Sequence, residues 1–99
     1  MRLTIHPEAE LELEEAIAYD DSQRDGLGAA LADAVGKAGA RILGSPLAWT
    51  TIAPGIRRKV VVRFLYSILH ADHAEGIFIV AFMRHKRKPG YWKSRLANT

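Results

Sequence analysis

The chain has 99 residues, 48% of them hydrophobic and 25% charged, and it contains no cysteine. These totals bound it to one domain with a single modest core and exclude disulfide scaffolds, thiolate metal sites and cysteine nucleophiles. The net charge of +3 hides a division: residues 1–40 hold three bases against nine acids, a net of −6, and residues 41–99 hold eleven bases against two acids, a net of +9. An acidic first part and a basic second part suit one surface to a polyanion or an acidic partner.

The N-terminus runs directly into acidic residues and lacks the apolar core of a signal peptide, so a cytoplasmic protein is expected. Arg2 to His6 alternates as a short half-buried strand, which Pro7 ends. Pro7 at a first helical position, with Glu8 and Glu10 behind it, starts an amphipathic helix running to about Asp21. Ala9, Leu13, Ala16 and Ile17 share its apolar face, and Glu8, Glu12 and Glu15 lie opposite. Ser22 to Gly28 reads as a tight connection, so the next helix folds back to form an antiparallel hairpin. Leu27, Leu31, Ala34, Val35, Ala38 and Ile42 make its stripe, and Gly44 with Pro46 stops it. Gly36 and Gly39 inside this helix imply either a close helix approach or a weakened helix.

Pro46 to Gly55 reads as an ordered loop with Trp49 over the core. Ile56 to Phe64 is expected as a strand with one apolar and one basic face, Tyr66 to Ala71 as the next, and residues 72–76 as a turn. Ile77 to Met83 is a continuous apolar run suited to a strand buried on both faces, and it leads into Arg84, His85, Lys86, Arg87 and Lys88. The expected fold is therefore α+β in the order β-α-α-β-β-β. A helical hairpin lies on one face of a mostly antiparallel four-stranded sheet, and a basic C-terminal tail follows.

None of the four histidines has a metal-site spacing to another, and neither a phosphate-binding glycine loop nor a nucleophile elbow is present. The positive signal is cationic and aromatic. Arg57, Arg58, Lys59 and Arg63 join Arg84, Lys86, Arg87 and Lys88 in one surface if their strands are near neighbours, and Tyr91 and Trp92 then suit stacking on unpaired bases. The plainer reading is a solvated face with Trp92 folded onto the core. A metal-independent ribonuclease would draw its base and proton donor from His85 and Tyr91 and its electrostatic pair from Arg63 and Arg87.

Four segments together resemble the RelE/ParE superfamily, the toxins of bacterial type II toxin-antitoxin systems. They are His6-Pro7 before an acidic helix, Pro54-Gly55-Ile56-Arg57-Arg58, Phe64-Leu65-Tyr66-Ser67-Ile68, and the ending His85-x-Arg87-x-Pro89-x-Tyr91-Trp92. The long helical hairpin looks closer to ParE. The resemblance implies a toxin, without cofactor, that inhibits growth by poisoning DNA gyrase and is neutralised by a ParD-like antitoxin in a hetero-oligomer. The alternatives are a RelE-like ribosome-dependent mRNA endoribonuclease and a non-catalytic nucleic-acid-binding module. On the ParE-like reading, Arg84, His85, Lys86, Arg87, Lys88, Tyr91 and Trp92 face the target. Leu13, Ile17, Leu31, Val35, Arg57, Arg58 and Arg63 face the antitoxin. Removal of Gly90 to Thr99 is then expected to abolish toxicity while folding stays intact.

Overall fold

A computed structural model describes residues 2–73 and 75–96. Strand β1 (Arg2–Ile5) leads into helices α1 (Pro7–Gln23) and α2 (Leu27–Gly44), followed by strands β2 (Thr50–Ala53), β3 (Ile56–Val60), β4 (Tyr66–His73) and β5 (Gly76–Arg84). A short 3-10 turn, Lys93–Arg95, follows. The α+β arrangement is as expected, but the sheet has five strands, in the order β1-β5-β4-β3-β2. β1 pairs parallel to β5 and every other pair is antiparallel.

The added strand is β2, inside the segment expected as loop. It is only four residues long, it lies between prolines, and its pairing with β3 is irregular between Thr51 and Ala53. Such an edge strand leaves no alternation to read. β3 is also shorter than expected, because Val61 to Leu65 turn the chain into β4.

The helix starts are built from side chains as well as prolines. His6 caps α1, its Nδ1 accepting from the Glu8 N–H at 3.0 Å, and Pro7 follows at the position where a missing N–H costs nothing. Asp21 Oδ1 accepts from the N–H groups of Gly26 and Gly28 at 3.1 and 3.2 Å, satisfying the start of α2 from the end of α1. Gly28 allows this turn: a Cβ there would lie 2.7 Å from the Ile17 carbonyl oxygen.

Gly36 and Gly39 have a different explanation. A Cβ at either meets nothing within 4 Å, so no close helix approach requires them. They line an apolar cleft of about 400 Å³ between α2, α1 and β1, with Leu3, Leu13, Leu43 and Phe82. Alanine at both positions is therefore expected to raise stability by about 1–2 kcal/mol in total, read as a higher urea midpoint with unchanged slope. A lower midpoint would contradict this.

Two clusters sandwich the sheet. On the helix side Leu31, Ile42, Ile68, Ile77 and Phe82 are buried, with Trp49 packed against them. On the other side Ile56, Leu69, Val80 and Ala81 are covered by Trp92, with Tyr91 and Leu96 alongside. β5 is buried on both faces as its composition implied. The expected split of β3 into an apolar and a basic face does not occur. Lys59 is buried with its ammonium 4.6 Å from the Trp49 ring centre, while Arg58 and Val60 are exposed. The lysine stem serves as apolar packing and the ring receives the charge.

His70, on β4, is fully buried, and neither ring nitrogen has a hydrogen-bond partner among the described residues. Burial pushes its pKa below the ordinary 6.5, against the opposing pull of Asp72. The unfolded chain therefore binds this proton at a higher pH than the folded one, and stability falls as pH drops below the ordinary histidine range toward the lowered value. Urea midpoints are expected to fall more between pH 7.5 and 5 for the native chain than for His70→Phe. Parallel profiles would contradict this.

Candidate functional site

Strand order decides which cations meet. β4 lies between β3 and β5, and Ser67 of β4 is paired with both Val60 and Met83. The end of β3 and the end of β5 are thus at the same end of the sheet, and the His85 N–H donates to the Leu65 carbonyl at 2.9 Å, tying the β3–β4 turn to the segment after β5. Arg63, Arg84, His85, Lys86, Arg87 and Lys88 are all exposed there, beside Val62 and Leu65 at 64% and 67% exposure. Arg57, near the start of β3, and Arg58, at its middle, lie back along the strand from that end. The eight expected cations therefore do not form one surface.

Aromatic rings hold two of the guanidiniums. Arg84 lies 5.6 Å from the Tyr19 ring centre and Arg87 lies 4.3 Å from that of Tyr91. Beneath them is a cleft of about 340 Å³ whose lining includes Glu15, Tyr19, Tyr66, Arg84, Arg87 and Tyr91. Tyr66 forms its floor, stacked on Phe82 with ring centres 4.8 Å apart. Burial, and then the charge of Asp20, raises the Tyr66 pKa, so it is a neutral phenol at physiological pH.

One cluster is not apparent from sequence pattern. Glu12, expected on the solvent side of α1, turns toward β5 and accepts from Tyr91 Oη at 2.5 Å, from Arg95 Nη1 and Nη2 at 2.7 and 3.2 Å, and from the Phe82 N–H at 3.2 Å. Arg95 also donates to the Val80 carbonyl at 3.1 Å. β1 ends at Ile5 and its last bond to β5 is from the His6 N–H to the Ile79 carbonyl, so Glu12 and Arg95 take over the bonding of β5 where β1 stops. The two side chains are only 17% and 11% exposed. Burial lowers the Arg95 pKa, but the hydrogen bonds and charge of Glu12 outweigh it, so the pKa is raised overall. Burial raises that of Tyr91, and the hydrogen bond to Glu12 raises it further. The spacing offered one clue: Glu12 is three residues after Ala9 and four before Ala16, both buried.

The expected site residues therefore separate. Trp92 is 4% exposed and belongs to the core, so it offers no stacking surface. Tyr91 is half-buried and its hydroxyl is committed to Glu12. His85 is exposed, but its Nε2 is 2.9 Å from the hydroxyl of fully buried Ser67. The segment expected as a removable tail holds Trp92 and Arg95, so its loss would open the core; residues 97–99 of it lie outside the described residues. Of the residues expected to face an antitoxin, Leu31 is fully buried and has no surface to offer. Leu13, Ile17 and Val35 are half-buried at the helix-side core. Arg57 bonds inward to the Leu47 and Trp49 carbonyls at 3.2 and 2.9 Å and approaches Asp72 at 3.6 Å, whereas Arg58 and Arg63 are exposed.

Among the described residues no group of three or more His, Asp or Glu is placed to hold a metal ion, and no helix is long and apolar enough to cross a membrane. Comparison with models of known protein families finds no match, and no curated protein matches the chain.

Proposed function

We propose that the chain is a growth-inhibiting toxin of the ParE kind, which binds DNA gyrase through the exposed end of β5 and is held inactive by a ParD-like antitoxin. The observation that carries this reading is how the charged and titratable groups at that end are used. Arg84, Lys86, Arg87 and Lys88 are exposed and make no ion pair with a carboxylate among the described residues, so they are available to an anionic partner surface. The groups a nuclease would need for proton transfer are engaged elsewhere, His85 with Ser67 and Tyr91 with Glu12. Ribosome-dependent cleavage by the same residues requires Tyr91 to leave Glu12 first. The geometry thus favours binding over catalysis.

The antitoxin has a separate place to dock. The apolar cleft beside Leu13 and Val35 opens next to the exposed Ile5 of edge strand β1, and it suits the apolar face of an amphipathic helix. Target and antitoxin then occupy different parts of the domain.

Purified protein added to gyrase and relaxed plasmid tests the reading. Gyrase-dependent double-strand breaks are expected to accumulate, and Arg84→Glu with Arg87→Glu is expected to reduce them by about tenfold or more. Both side chains are exposed but lie over the Tyr19 and Tyr91 rings beside Glu15, so a modest fall in melting temperature is expected, with the protein still folded at the assay temperature. Gyrase that supercoils normally in the presence of excess protein would contradict the proposal.

A further inference from the structure

The C-terminal half of α2 and the β3–β4 turn enclose another cleft, of about 440 Å³. Lys37 and Arg41 reach it from α2, Lys59 from β3 and Arg63 from the turn. The one acid in its lining, Asp33, is already paired with Lys37 at 3.0 Å. The Arg41 and Arg63 side chains make no hydrogen bond or ion pair among the described residues. Between these cations the rim is aliphatic: Val60 is 40% exposed and Val62 is 64% exposed.

Arg63 is held there against its own backbone preference. The turn is closed by the Phe64 N–H donating to the Val61 carbonyl at 3.0 Å, and Arg63 occupies its third position with φ of 74°. That position normally takes glycine or asparagine. A strained residue whose guanidinium has no internal partner points to an external one.

We infer that this cleft docks a segment of a partner protein in which carboxylates alternate with aliphatic side chains. Carboxylates match the Arg41 and Arg63 forks, and aliphatic side chains match Val60 and Val62. A nucleic-acid strand would satisfy the cations but would leave the valines against sugar and phosphate, and the one ring in the lining, Phe64, is half-buried. The inference goes beyond the toxin reading, since it holds whatever the target is.

A random dodecapeptide display library panned on the full chain tests it, with Arg63→Gly and Arg41→Glu as counter-screens. Enriched peptides are expected to combine Asp or Glu with Leu, Ile or Val, and to bind each variant about tenfold or more weakly. Arg63→Gly is expected to melt at or above the native temperature, because glycine adopts that φ without strain, so lost binding is not lost folding. No enrichment, enriched peptides without acids, or equal binding to the variants would overturn the inference. So would displacement of the peptides by a short single-stranded RNA or DNA duplex, or a lower melting temperature for Arg63→Gly.

Discussion

Trp92→Ala is expected to destabilise the protein by about 3–5 kcal/mol, the cost of removing a buried indole and leaving a cavity. For a domain of this size that corresponds to a fall in melting temperature of roughly 15–30 °C. Trp92 is the large side chain that closes the second face of the sheet, over Ile56, Leu69, Val80 and Ala81. Among the described residues neither α1 nor α2 contributes to that cluster, and Tyr91 and Leu96 beside Trp92 are only partly buried. Trp92→Phe, which keeps most of the apolar area, should recover more than half of the loss. Thermal unfolding followed by circular dichroism reads both. A melting temperature for Trp92→Ala within a few degrees of the native value would mean that the residue is not in the core. The same argument applies to deletion of Gly90 to Thr99, which is expected to unfold the chain rather than yield a folded, non-toxic form.

Glu12→Ala is expected to cost about 3 kcal/mol or more. The Glu12 carboxylate gathers the Arg95 guanidinium, the Tyr91 hydroxyl and the Phe82 N–H, and its loss leaves all three without that acceptor in a mostly dry site. Removing the charge while keeping an acceptor, as in Glu12→Gln, should cost less, about 1–2 kcal/mol. The double variant Glu12→Leu with Arg95→Met separates ion pair from backbone. It should be less destabilised than the sum of its single variants, because neither charge is left alone. Some loss remains, because the Phe82 N–H and the Val80 carbonyl still lack the partners they have in the native chain. Urea unfolding of the four proteins gives the coupling directly, and simple additivity would show that the pair does not act as a unit.

These two residues mark the boundary of what the sequence makes legible. The start of α1 could be read from Pro7, Glu8 and Glu10, the end of α2 from Gly44 and Pro46, and β5 from its unbroken apolar run, because each signal lies within a few neighbouring residues. Glu12 and Arg95 are 83 residues apart, and nothing local joins them. Lys59 looked like part of a solvated basic face because charge is a good guide to exposure only when the stem has no ring to lie against. Trp92 had two readings, and the choice depended on whether the open face of the sheet was covered. The grouping of the cations depended on the order β5-β4-β3, which sets Arg63 beside Arg84 to Lys88 and separates Arg57 and Arg58 from them. The candidate site was therefore partly visible as composition, while its geometry came from long-range pairing.

The most direct test of the proposed function is to express the chain in bacteria without any neutralising partner, mapping gyrase-linked DNA breaks and ribosome-bound mRNA cleavage in the same cultures. Arrested growth with gyrase-dependent breaks is expected, both suppressed by Arg84→Glu with Arg87→Glu, and mRNA is expected to stay intact. Growth arrest with mRNA cut on the ribosome and no gyrase-dependent breaks would contradict it.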